Sequence, residues 1–107
     1  MSTPSIEQQQ PPIEEIELTE VLAALSDPLR LEIVRRLDAD GLERTCGSFD
    51  LPIAKSTATH HFRVLREAGL IASREEGTKK FNRVRRADID ERFPGLLDSV
   101  LGTVVPR

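Results

Sequence analysis

The chain has 107 residues, 38% of them hydrophobic and 31% charged, with a formal net charge of −3. That length is one ordinary domain, which buries only about 60–70% of its unfolded surface, so a partner subunit would add noticeably to its core. One cysteine excludes an intrachain disulfide, and no apolar run approaches the ~20 residues that span a bilayer. The N-terminus, with neither a basic start nor an apolar stretch, does not read as a signal peptide, so a cytoplasmic protein is expected.

In chain order, residues 1–12 are Gln- and Pro-rich and read as a disordered tail ahead of one domain over 13–105. Leu18, Val21, Leu22 and Leu25 form one stripe of an amphipathic helix, which Ile13 and Ile16 can extend. Asp27-Pro28 restarts the chain, with Asp as N-cap and Pro at the first helical position. The helix it opens runs to about Ala39 and stops near Gly41; its apolar residues cover more than one face, so it should be central. Residues 42–53 leave room, between Gly47 and Pro52, for a short helix only.

From Lys55 to Gly69 helical spacing returns, with Ala58, Phe62, Leu65 and Gly69 on one side. Ile71 to Arg74 and Thr78 to Val84 predict two strands around a Glu76-Gly77 turn. The tail places Ile89, Phe93, Leu96, Leu97, Val100 and Leu101 on a helical stripe, with Pro94 either kinking that helix or starting a fresh one. The order helix, helix, short helix, helix, hairpin, helix predicts a mainly α (α+β) winged helix-turn-helix, with a two-stranded wing and extra helices at both ends. Both terminal stripes offer apolar residues that a small domain would struggle to bury alone. Leu18, Val21, Leu22, Leu25, Phe93, Leu96, Leu97, Val100 and Leu101 are therefore the expected homodimer interface.

Charge is distributed unevenly along this framework. Residues 55–86 hold nine basic and three acidic side chains, whereas residues 1–54 hold eleven acids and four bases. A basic middle between acidic flanks suggests a polyanion partner for the middle alone.

The segments LSDPLRLEIVRRL (Leu25–Leu37), KSTATHHFRVLREAGLI (Lys55–Ile71) and EEGTKKFNRVR (Glu75–Arg85) resemble the opening signature, recognition helix and wing of ArsR-type winged-helix repressors. The resemblance runs in order from about Leu18 to Leu101. It implies a homodimeric DNA-binding repressor whose first and last helices make the dimer interface. It does not extend to an effector. Where metal sensors of that family carry Cys-x-Cys, this chain has Thr45-Cys46-Gly47-Ser48, and residues 87–107 contain no histidine.

Successive helical residues turn by about 100°. With Ala58, Phe62, Leu65 and Gly69 inward, Ser56, His60, Arg63 and Glu67 point outward, Lys55 and Thr59 lie on the flank, and His61 is half-buried. Lys55, Ser56, Thr57, Thr59, His60 and Arg63 suit base edges and phosphates of a major groove, although Ser56 and Thr57 could act only as caps. Glu67 falls beyond the groove or pairs with Arg63. Arg74, Thr78, Lys79, Lys80 and Arg83 suit backbone or minor-groove contacts from the wing. Arg30 serves either a phosphate or an internal pair. The expected partners are thus double-stranded DNA, a second copy of the chain, and an unidentified small-molecule or redox effector.

No cofactor, enzyme chemistry or metal site is expected, since the two histidines diverge by about 100° and only one thiol is available. The rival readings are a winged helix used only for protein–protein contact, and a thiol- or metal-responsive sensor acting through Cys46.

Overall fold

The structure, a computed structural model, describes residues 10–41, 43–45, 49 and 51–102, with the backbone of residues 6 and 7. Five helices are described: α1 (Leu18–Leu25), α2 (Pro28–Asp40), α3 (Lys55–Glu67), α4 (Arg86–Arg92) and α5 (Leu96–Gly102), with a 3-10 turn over Ile13–Glu15 ahead of them. The strands β1 (Ile6–Glu7), β2 (Arg44–Thr45), β3 (Ile71–Glu76) and β4 (Lys79–Val84) form one antiparallel sheet in the order β1-β3-β4-β2.

Capping chemistry sets the second helix. The Asp27 carboxylate accepts from Leu29 N at 2.8 Å and Arg30 N at 3.1 Å, Pro28 opens the helix, and Gly41 ends it. The Arg30 amide is the main cause holding that carboxyl below its ordinary range. Ile33, Val34 and Leu37 are fully buried on this helix, as expected of the central element. They pack with Phe62 and Leu65 of α3, Leu70 and Ile71 at the sheet, and Ile89, Leu97 and Leu101 of the last two helices.

One ion cluster ties α2 together. Glu32 accepts from Arg35 Nε and NH2 and from Arg36 Nε, each at 2.7 Å, and the Arg35 bonds are the main cause that holds its carboxyl down from 4.5 to about 2. A depressed folded value means that the pairing stabilises the fold above pH 4.5 and is lost as pH falls towards 2. Glu32→Gln is expected to flatten the acid limb of the stability–pH curve across that interval. An acid limb identical in parent and variant would show that the pair contributes nothing.

Two-residue turn chemistry sets the hairpin. Glu76 pairs with Lys79, so the loop is Gly77-Thr78, one residue later than expected, and Gly77 takes the positive φ of 63° that such loops need at their first position. Gly69 matters for a different reason. It turns the chain from α3 into β3 at φ 90°, and a Cβ there would stand 2.6 Å from Ile16 Cγ1.

Four expectations meet their outcome here. Described residues within the first twelve are part of the fold: β1 pairs with β3, Gln10 Oε1 accepts from Ser73 N at 3.1 Å, and Pro11 O accepts from Arg85 NH1 at 2.6 Å. Two edge strands, β1 and β2, extend the expected wing hairpin into a four-stranded sheet. The expected short helix in 42–53 falls largely on residues 42, 46–48 and 50, outside the described residues; β2 and the buried Phe49 are what is described there. Of the two readings of the apolar tail, a fresh helix is what forms; it starts at Leu96 rather than at Pro94, after a break in which Gly95 takes φ 83°.

The apolar stripes also divide. Val21, Leu25, Leu97 and Leu101, expected at a dimer interface, are 0–6% exposed and belong to the protomer's own core. Leu18 and Leu22 are 43% and 45% exposed, and Phe93, Leu96 and Val100 are partly buried against the core.

Candidate nucleic-acid interface

Helix α3 carries three functional flanks beside its buried one. Lys55, Ala58, Thr59, Phe62, Arg63 and Arg66 recur at helical spacing and line a groove of about 800 Å³, whose opposite wall is the wing tip, Thr78 to Lys80. Ser56, His60 and Glu67 form the exposed face beside that groove, with Thr57 next to them. His61 occupies the other flank, towards α2. Ala54 is the N-cap residue and no side chain caps the helix, so Ser56 and Thr57 do not cap it.

Hydrogen bonds set what these side chains can offer. Thr59 Oγ1 donates to Lys55 O at 3.0 Å, which leaves its oxygen as an outward acceptor. His60 Nδ1 lies 3.3 Å from Arg63 NH2. A guanidinium only donates, so Nδ1 accepts and the Nε2–H of neutral His60 is the donor left for another group. Glu67, in contrast, takes no such bond from Arg63. His61 Nδ1 accepts in the same way from Arg30 NH1 at 3.2 Å, while Arg30 Nε donates to Ala24 O at 2.8 Å. Arg30 therefore serves an internal bond joining α1, α2 and α3.

The two histidine rings sit 5.9 Å apart at 50° and are bound to different arginines. Among the described residues no three His, Cys, Asp or Glu side chains group as metal ligands, and Cys46 lies outside the described residues.

The wing divides the expected contacts further. Lys79 and Lys80 stand at the groove with Thr78. Side chains alternate along a strand, so Arg83 shares a face with Phe81 and Lys79, but beside Ala72 and Arg74 on β3, away from the wing tip. Arg83 lines a smaller depression with Asp38 and Glu43.

Arg74 is a correction. Its Nε and NH2 donate to the two oxygens of Glu43 at 2.8 Å each, NH1 donates to Glu76 at 2.7 Å, and the guanidinium stacks 4.7 Å from the Phe81 ring centroid. These bonds raise the Arg74 pKa and, with Arg74 as the main cause, hold the Glu43 carboxyl below its ordinary range. A guanidinium held on three sides within the protomer is not presented to DNA.

The geometry is a helix–wing groove with cations on both walls, and comparison with known proteins points the same way. A helix-turn-helix domain family matches residues 25–74. An HTH-type transcriptional regulator of Bacillus subtilis, YceK, is 39% identical over 83 residues, covering 76% of this chain and 83% of that protein. Another, from Methanocaldococcus jannaschii, is 36% identical over 63 residues, 58% of this chain and 71% of that protein. Among solved structures, an ArsR-like transcriptional regulator from Rhodococcus sp. RHA1 aligns with TM-score 0.61 and 26% identity over 80% of each chain.

The chain is an ArsR-type winged helix-turn-helix transcriptional regulator. The class binds DNA and is not enzymatic. A possible transcriptional regulator for arsenical resistance shares the ArsR-type fold, with TM-score 0.59 and 23% identity over 84% of this chain and all of that one. No helix among the described residues is long and apolar enough to cross a membrane.

Sequence reasoning missed several residues that line the groove but lie outside the expected DNA contacts. Arg66 lies on the same stripe as Lys55, Thr59 and Arg63, eleven residues after Lys55, so extending the projection by one turn would have found it. Thr45, Leu51 and Ile53 also line the groove, and no local pattern marks them.

Proposed function

We propose that the protein is a homodimeric repressor that reads an inverted-repeat operator with α3 and the wing tip, and that it acts in the cytoplasm. The observation that carries this reading is the convergence of Lys55, Thr59 and Arg63 with Lys79 and Lys80 across one groove, next to the exposed Ser56–His60 face. The first turns of such a helix enter the major groove while the flanking cations hold phosphates on either side. Thr59 offers an acceptor to a base amino group, and His60 offers a donor to a base acceptor such as guanine N7 or O6. Leu18 and Leu22, with Phe93, Leu96 and Val100, supply the apolar surface for a second copy. A two-fold axis between protomers places the half-sites about one helical turn apart.

The test begins with duplexes selected from a random pool. Thr59→Ala and His60→Ala should each cost about 1–3 kcal/mol at one base position and leave the preference elsewhere intact. His61→Ala should leave base preference unchanged and lower folding stability by about 1–2 kcal/mol, through loss of packing and of the bond from Arg30. Equal loss of affinity for every sequence on changing His60 would remove it from base reading. A pool that yields no preferred sequence would overturn the proposal.

A further inference from the structure

The groove between α3 and the wing tip has two chemical characters. Its floor is apolar, with Leu51 and Ile53 from the approach to α3 and Phe62 from the helix itself. Its walls are cationic, with Lys55 and Arg63 facing Lys79 and Lys80. Arg66 lines the same space, and its Nε is buried with no hydrogen-bond partner among the described residues. A buried donor left unmade is costly, and more so when it is charged, so this atom marks where an acceptor belongs. A DNA strand would answer the cations with phosphates. It is anionic along its whole backbone, however, and leaves an apolar floor without a partner. The volume of about 800 Å³ is that of a small-molecule site.

We propose that the groove binds a small amphipathic carboxylate, with its apolar body on Leu51, Ile53 and Phe62 and its carboxylate on Arg66, and that the bound ligand excludes DNA. This rests on the DNA-binding face proposed above, because the cations that rim the groove are those assigned to phosphates. Exclusion needs no conformational relay. A ligand there stands between α3 and the wing tip, and its charge competes for the same lysines and arginines. A site built this way makes the regulator responsive to a metabolite of that class without metal or thiol chemistry. Arg66 itself takes no part in the proposed DNA contacts, which separates ligand binding from operator binding.

Decanoate, below its micelle concentration, is the probe; decanol and acetate carry its two halves separately. With the full chain and no DNA, calorimetry should show saturable decanoate binding, weaker by about tenfold or more for either control. Decanoate should weaken binding to the selected duplex in proportion to its occupancy, and acetate should not. Arg66→Gln should keep duplex affinity and lose about tenfold or more in decanoate affinity. Ile53→Trp, which fills the floor, should lose decanoate through the apolar half and serves as a second variant should Arg66→Gln unfold. The proposal is overturned if acetate or inorganic phosphate binds as well as decanoate, if decanol does, if neither variant changes decanoate affinity, or if decanoate binds without displacing the duplex. Failure of the DNA reading is a separate result: it is the absence of sequence-specific duplex binding before any decanoate is added.

Discussion

Replacing Leu97 with glutamate is expected to unfold the protomer, whereas replacing Leu22 with glutamate should leave it folded and monomeric. Leu97 is 0% exposed and packs in the core with Ile89 and Leu101, although its place on the tail stripe made it an obvious dimer contact. Losing the leucine forfeits about 1.5–3 kcal/mol of burial, and a carboxylate in its place adds several kcal/mol for an unpaired buried group. Together these approach the whole stability of a domain this size, about 5–15 kcal/mol. Circular dichroism and thermal melting should therefore report an unfolded Leu97→Glu chain. Leu22 is 45% exposed, so a carboxylate there stays in water within the protomer. It becomes costly only where a second copy covers it. Sedimentation should then give folded monomers that have lost tight duplex binding. A folded Leu97→Glu dimer would contradict the core assignment, and a dimeric Leu22→Glu protein would exclude the α1 surface from the interface.

The second large effect is on salt. Lys55, Arg63, Lys79 and Lys80 are the cations that face one another across the groove, and a two-fold dimer presents each of them twice. With about eight phosphates neutralised, log affinity should fall against log salt with a slope of about −7, a loss on the order of ten-thousandfold between 50 and 200 mM. Lys79→Ala should weaken all sequences alike and bring that slope about two units closer to zero, one for each protomer. Arg74→Ala should leave the slope where it was, because Glu43 and Glu76 already hold that guanidinium. A slope near zero, or one that moves with Arg74 and not with Lys79, would show that the wing meets DNA by another face.

Features set by a few neighbouring residues were legible. Asp27-Pro28 and Gly41 bound α2 because capping and φ preferences act within one turn. The inward and outward sides of α3, and the parting of His60 from His61, follow from rotation about one axis. The hairpin was legible too, with its loop displaced by one residue, since Gly77 marks a turn without saying which neighbour joins it. Pro94 signalled an interruption, and the left-handed turn at Gly95 makes it a full break between α4 and α5.

What lay beyond reach was the choice of partners distant along the chain. Strands of two residues, β1 and β2, have too few positions to show alternation; they exist because the edges of β3 and β4 were free to pair. Arg74 counts as one more positive charge until Glu43, thirty-one residues away, takes it. Leu22 and Leu97 look alike as members of apolar stripes, yet one faces water and the other the core. The groove itself joins α3 to a wing tip twelve or more residues further on, over a floor reached from Leu51 and Ile53. Periodicity and capping energies are local and therefore written in short segments. Which charge is neutralised, which leucine is covered and which surfaces enclose a cavity depend on contacts that form only when the whole chain has packed.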